Sequence, residues 1–186
     1  MNARLTAVWP WALATLATAL LLHLATVAVL PHAIMARTLS AMSRHGGFNT
    51  MNFGPRPSAQ SRGVVRPSPD LLYSICPYDL SAGPLVVEAH GPSGSYWSVS
   101  VFDSETDNVF VRNDAQAPGG TIRFMLLPPQ TERPAGAQGI EPVHSPSTHG
   151  LVLIRTLIAD DTALAEIDAA RRQSSCETWH PAAVQS

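Results

Sequence analysis

Lysine is absent from the 186 residues, and all 12 basic side chains are arginine. Chemistry that needs a lysine amine, such as a Schiff base, is therefore excluded. Charge is scarce, at 14% of residues, and nearly balanced at a formal −2. A chain this close to neutral carries no broad basic field, so no nucleic-acid partner is expected. Aromatic residues are few, at 6%, and there are only two cysteines, Cys76 and Cys176. No Cys-x-x-Cys or Cys/His spacing suggests zinc, so neither a metal nor another cofactor is expected. Gly46-Gly47 and Gly119-Gly120 lack the strand, glycine-rich loop and helix frame of a phosphate loop.

The sharpest absence is local. Leu5 to Leu30 contains no Asp, Glu, Lys or Arg, and 20 of its 26 positions are apolar. Helix over this run would cross about 30 Å of hydrocarbon. Trp9 and Trp11 sit where an interfacial aromatic belt belongs, and Pro10 suits a first turn. Thr15, Thr18 and Thr26 can bond back to their own helix carbonyls. His23 reads as a neutral imidazole near the far interface rather than a proton relay. A cleaved signal peptide is the rival, with small residues at Thr26-Val27-Ala28. The length of the apolar run and the single charge ahead of it, Arg4, favour an uncleaved anchor. Arg37 and Arg44 after the span slightly favour a cytoplasmic C-terminus, but a long domain can translocate against such a bias. Without the run, composition is that of an ordinary globular domain. That excludes a disordered chain, a multi-spanning transporter and a collagen-like protein.

Three segments follow. Residues 1–31 form the transmembrane anchor. Residues 32–63 form a juxtamembrane helix and linker: Met35, Leu39 and Met42 give an amphipathic helix over 31–46 that either lies on the membrane or continues the span. Gly46-Gly47 stops it. The stretch 48–68 is punctuated by Pro and Gly and reads as linker. Its Arg56, Arg62 and Arg66 read as solvated, with contact to lipid phosphate the alternative. Residues 64–186 form the folded domain. Short strands are predicted at 71–75, 85–89, 96–102, 109–112, 121–127 and 151–158, separated by Gly, Pro, Asn and Asp clusters. Tyr96 to Phe102 alternates, with Trp97, Val99 and Val101 on one apolar face. Residues 128–148 read as a long surface loop. Asp160-Asp161 offers an N-cap for a helix over 162–173, with Arg171-Arg172 suiting its C-terminal dipole. This pattern predicts a mainly β chain, an antiparallel β-sandwich with an N-terminal transmembrane helix and a short C-terminal helix.

Cys76 and Cys176 admit two readings, a bridge in an oxidising compartment or two free thiols in the cytoplasm. A preceding membrane span favours the bridge, and with it an N-terminus inside and a periplasmic domain.

Three stretches carry a family resemblance: Val64-Val65-Arg66-Pro67-Ser68-Pro69-Asp70-Leu71-Leu72-Tyr73-Ser74, then Tyr78-Asp79-Leu80-Ser81-Ala82-Gly83-Pro84, then Ser95-Tyr96-Trp97-Ser98-Val99. They resemble the bacterial family known as domain of unknown function 1254. Asp70, Tyr73, Ser74, Asp79, Leu80, Gly83, Pro84, Tyr96 and Asp103 match its pattern. Ser68, Leu71 and Ser95 depart from it, standing where Asn, Thr and Arg are usual. The resemblance implies an immunoglobulin-like sandwich. Larger relatives pair it with a second domain, and this chain resembles a small membrane-anchored relative. No reaction is carried over.

On physical grounds, Gly83-Pro84 is turn chemistry and Asp79 can cap its own turn. Arg66 and Asp70 can pair, and Tyr73 can bury its ring and bond its hydroxyl. The functional alternative makes Arg66, Asp70, Tyr73, Ser74 and Asp79 the polar lining of a cleft. Asp103 to Asp107, with Asp114, imitates a calcium loop, but Asn108 replaces the required Gly and Asp114 the Glu. A polar hairpin turn explains the same residues. Ser74 with His90, His144 or His149 makes no supported triad, because no nucleophile elbow accompanies it. The sequence therefore points to a single-pass protein of the bacterial inner membrane. Its periplasmic module would bind or assist, with membrane lipid and an envelope protein carrying the family's second domain as partners. The alternative is a hydrolytic or cation-assisted enzyme using the Asp70–Asp79 segment.

Overall fold

The computed structural model describes residues 3–62 and 66–180. Val64 and Val65 of the family-like segment, the expected boundary at 63/64 and residues 181–186 lie outside the described residues.

The charge-free run is helical, but the helix does not end where the run ends. α1 extends from Ala3 to Gly46, 44 residues, with Pro10 and Pro31 inside it. From Val8 to Ile34 its large apolar side chains are exposed. It is long and apolar enough to cross a membrane. Thr26 Oγ1 donates back to the Leu22 carbonyl at 2.8 Å. After Pro31 the 35–42 stripe turns toward protein: Met35 and Leu39 are buried with Leu151 and pack on Ile75 and Phe102. Burying each such side chain is worth about 1.5–3 kcal/mol. Gly47 ends the helix at φ +80°, its N–H bonding the Ser43 carbonyl at 2.8 Å.

Among the described residues nine strands follow: β1 (Asn52–Phe53), β2 (Leu71–Asp79), β3 (Leu85–His90), β4 (Trp97–Phe102), β5 (Asn108–Asn113), β6 (Thr121–Leu127), β7 (Glu141–His144), β8 (His149–Leu157) and β9 (Ser175–Thr178). A second helix, α2, spans Leu164–Arg171 between β8 and β9. The strands make two sheets, ordered β1-β2-β8-β4-β5 and β7-β6-β3-β9. Trp97, Val99 and Val101 enter one core with Cys76, Tyr78, Val152 and Ile154 of their own sheet. Leu85, Val87, Phe124, Leu126 and Cys176 of the second sheet meet them there. Phe110 on β5 and Phe124 on β6 close one side, with ring centroids 4.6 Å apart. Alternation on β4 thus fixes which face is core, as the pleat requires.

Three strands fall where none was predicted. β1 lies in the expected linker and pairs with β2. β7 lies in the expected 128–148 loop and runs parallel to β6, so the sheets are not wholly antiparallel. β9 follows α2 and pairs with β3. All three are edge strands of two to four residues, too short to show a period; tertiary pairing alone makes them strands. The predicted helix start is a single 3-10 turn at Asp161–Ala163, capped by Asp160 Oδ1 accepting from the Thr162 N–H at 2.8 Å. Regular α-helix begins only at Leu164.

Gly150 is required by close packing. A side chain there would collide with the Phe102 carbonyl and the Tyr78 ring. That leaves Tyr78 free to donate to the Phe102 carbonyl at 3.1 Å and to lie 2.9 Å from Ser145 Oγ. Asp79 caps its turn as its sequence suggests, Oδ1 accepting from the Ser81 N–H at 2.8 Å.

Cys76 on β2 and Cys176 on β9 form a disulfide, with Cα atoms 6.5 Å apart. It joins the two sheets through the core and closes a separation of 100 residues. On the chain-entropy model such a bridge contributes about 4 kcal/mol. Replacing both cysteines by alanine is expected to lower the unfolding free energy of the full chain in detergent by about that amount. Denaturant midpoints of native and double-alanine proteins check this, and reductant is expected to shift only the native one.

Candidate functional site

The described residues hold no group of three or more His, Cys, Asp or Glu placed to share a metal ion. A groove of about 440 Å³ lies between α2 and the start of β2. Leu72 and Leu164 make its apolar floor, and Arg56, Asp161, Thr162 and Arg172 its polar rim.

Arg171 is the residue on which this groove is built. It is 1% exposed, and all its donors are used. Nε donates to Asp168 Oδ1 at 2.7 Å, and Nη2 lies 2.5 Å from the same oxygen. Nη1 donates to the Tyr73 carbonyl at 2.9 Å and to Ser74 Oγ at 3.4 Å. Nη2 also donates to the Gly54 carbonyl at 2.8 Å. One guanidinium thus ties α2 to β2 and to the chain just after β1. This is how a buried arginine is tolerated: its charge is paired and its donors satisfied. Arg172 Nε donates to Asp168 Oδ2 at 2.7 Å, and both guanidinium groups lie over the Phe53 ring at 5.7 and 5.4 Å. Burial pushes the Asp168 carboxyl upward, but hydrogen bonds from Arg172 and Arg171 and their charges outweigh it, and its pKa lies below the ordinary value.

The rim is clasped separately. Arg56 Nη1 bonds Asp161 Oδ1 at 2.7 Å, and Arg56 Nε donates to the Pro69 carbonyl at 2.9 Å. Both rim groups are exposed, so the pair is worth at most about 1 kcal/mol and opens readily. Chemically, the groove can take an apolar body on Leu72 and Leu164 and an acidic group competing for Arg56 or Arg172. Arg171 is already saturated and supports the wall.

The five residues read from sequence as a cleft are dispersed along β2. Asp70 and Asp79 flank opposite ends, about 30 Å apart for an extended strand of this length. Arg66 is exposed and lines a small hollow with Ser58 and Pro69. Among the described residues Arg66 and Asp70 make no ion pair; Arg56 occupies that corner instead. Tyr73 is half-buried and its hydroxyl accepts from the Ser68 N–H at 3.0 Å. Ser74 is buried against Arg171. Asp79 serves its turn and lies 3.4 Å from His149 Nε2. Bonding to Ser81 is the main cause that lowers its pKa, with His149 helping. Only Tyr73 and Ser74 meet at Arg171, and sequence reading passed over Arg171 itself, taking it as a dipole partner. The spacing Asp168-x-x-Arg171-Arg172 carried the signal, since one carboxylate then faces both arginines on a helix.

A sequence-family profile described as a protein of unknown function (DUF1254) matches residues 48–178. No curated protein matches the chain. Among solved structures, the VPA0106 protein of Vibrio parahaemolyticus aligns with a TM-score of 0.59 at 16% identity, covering 82% of this chain and 36% of its own. An uncharacterized protein of Burkholderia cenocepacia aligns with a TM-score of 0.48 at 20% identity, over 81% of this chain and 42% of its own. The chain thus spans well under half the length of these solved relatives, and the Vibrio alignment shows a shared fold.

Arg171→Met is expected to cost roughly 3–5 kcal/mol, because it removes the buried partner of Asp168 and leaves the Gly54 carbonyl without its donor; thermal or denaturant melts measure it. Asp168→Asn is expected to cost about 1–3 kcal/mol at neutral pH. Asp168 has its pKa lowered on folding from an ordinary 3.8. Its contribution is therefore full above that pH and is lost as pH falls through the lower folded value. The stability gap between native and Asn proteins is expected to close in that acid window.

Proposed function

The chain belongs to the DUF1254 family, and on that premise we propose that it is a membrane-anchored, non-enzymatic binding or accessory module of the bacterial envelope. Its two facing sheets are read as an immunoglobulin-like sandwich held on the periplasmic side of the inner membrane by α1. The observation that carries this is the pairing of an exposed apolar helix with a disulfide between the sheets. A bridge of that kind persists in an oxidising compartment, and the helix is long enough to hold the domain just beyond a bilayer. In this reading residues 1–31 are the anchor, the rest of α1 joins it to the domain, and the binding domain includes β1 and Arg56 as well as the chain from β2 onward.

The partner is an envelope protein carrying the family's second domain. The match to only 36% of the Vibrio chain supports this, since the longer protein holds more than this domain. The groove above Arg171 is the surface offered to it, with Arg56 and Arg172 ready for an acidic side chain. An enzyme working through Asp70 and Asp79 gains nothing from the geometry, because those carboxylates stand at opposite ends of β2.

Full-length tagged protein extracted in mild detergent is expected to carry a stoichiometric partner containing that second domain. Arg56→Glu with Arg172→Glu is expected to lower the partner's recovery at least tenfold without unfolding the domain. Recovery of the intact chain alone, at native expression and in several detergents, contradicts the proposal.

A further inference from the structure

We propose that the β4–β5 corner of the domain, the turn together with the adjoining free edge of β5, is its membrane-contacting face, covered by the phospholipid headgroup layer. This rests on the reading of α1 as an uncleaved anchor.

The path of α1 over the first sheet sets the direction. Near its end, Gly46 is packed so closely on Asn52 of β1 that a side chain there would collide. Met35 and Leu39 lie with Leu151 on β8, Ile75 on β2 and Phe102 on β4. Further back, His32 Nε2 lies 3.5 Å from Glu105 Oε1 in the turn between β4 and β5. Between His32 and Gly46 a helix rises about 21 Å. Five strands in order β1-β2-β8-β4-β5 span about 19 Å. Asn52 is level with Ile75, whereas Leu151 and Phe102 lie two residues further toward the β4–β5 turn, so the helix crosses the sheet obliquely and its apolar part continues outward past that turn.

No spacer separates bilayer from domain. Ile34 is the last large apolar side chain exposed on the helix, and Arg37 is the first charged residue after the run. The hydrocarbon boundary thus falls between Leu30 and Arg37, the stretch that already touches the β4–β5 turn. β5 is the end strand of its sheet, and β7 is the end strand of the other. Arg112 on β5 bonds Glu141 on β7 at 2.7 Å, so the two free edges lie side by side. Val111 on β5 is 50% exposed. An uncovered strand edge invites pairing with other chains; headgroup phosphates can instead accept from its N–H groups and ethanolamine ammonium groups donate to its carbonyls. Exposed Asp107 and Asp114 flank β5, which suits a headgroup with an ammonium group.

The test uses the full chain in nanodiscs of phosphatidylethanolamine and phosphatidylglycerol with a headgroup spin label. A fluorophore is placed at Val111→Cys on β5 or at Ala59→Cys, beside the chain that leads into the start of β2 and away from the β4–β5 turn. Quenching at least threefold stronger at position 111 is expected. Equal or reversed quenching, in protein whose intact mass retains α1, overturns this proposal alone. Protein recovered from cells without α1 overturns both this proposal and the anchor reading.

Discussion

The structure depends on one helix meeting two surroundings in succession. From Val8 to Leu30, α1 presents exposed apolar side chains on all sides. One turn later, Met35, Thr38 and Leu39 are buried on the first sheet. A helix apolar all round belongs in lipid, and a helix with a narrow apolar stripe belongs on a protein surface. Pro31 sits at the change and does not break the helix. The domain is therefore fixed to its helix as a docked body.

The domain is held by two long-range ties that act on different parts. The Cys76–Cys176 bridge joins the sheets at their shared core. Arg171 joins α2, β2 and the chain after β1 at the end of the first sheet. The first restricts the unfolded chain. The second stabilises only while Asp168 stays ionised, and it fixes the wall of the groove. The groove's binding capacity therefore rests with Arg56 and Arg172, which have exposed guanidinium groups, and not with the arginine that shapes it.

Much of the fold was legible where side chains alternate or repeat. β4 showed its core face through Trp97, Val99 and Val101, and the charge-free run showed α1. The Asp79–Pro84 turn was readable because its chemistry is local. β1, β7 and β9 were not, because two to four residues carry no period and their strand state comes from partners far along the chain. The site was less legible still. Asp70 and Asp79 read as lining one cleft, but the strand between them holds residues nine positions apart at its two ends. Arg171 looked like a surface cation because its burial depends on Gly54 and Tyr73, roughly 100 residues earlier.

The central claim is that a retained helix is docked on the sheet where it leaves the bilayer, and a proximity measurement in membranes tests it most directly. His32→Cys with Glu105→Cys, treated in intact membranes with a short thiol-to-thiol cross-linker and mapped by peptide mass, is predicted to give an intrachain link between α1 and the β4–β5 turn. Two unlinked, singly modified thiols, or a chain that begins beyond residue 32, would contradict the account.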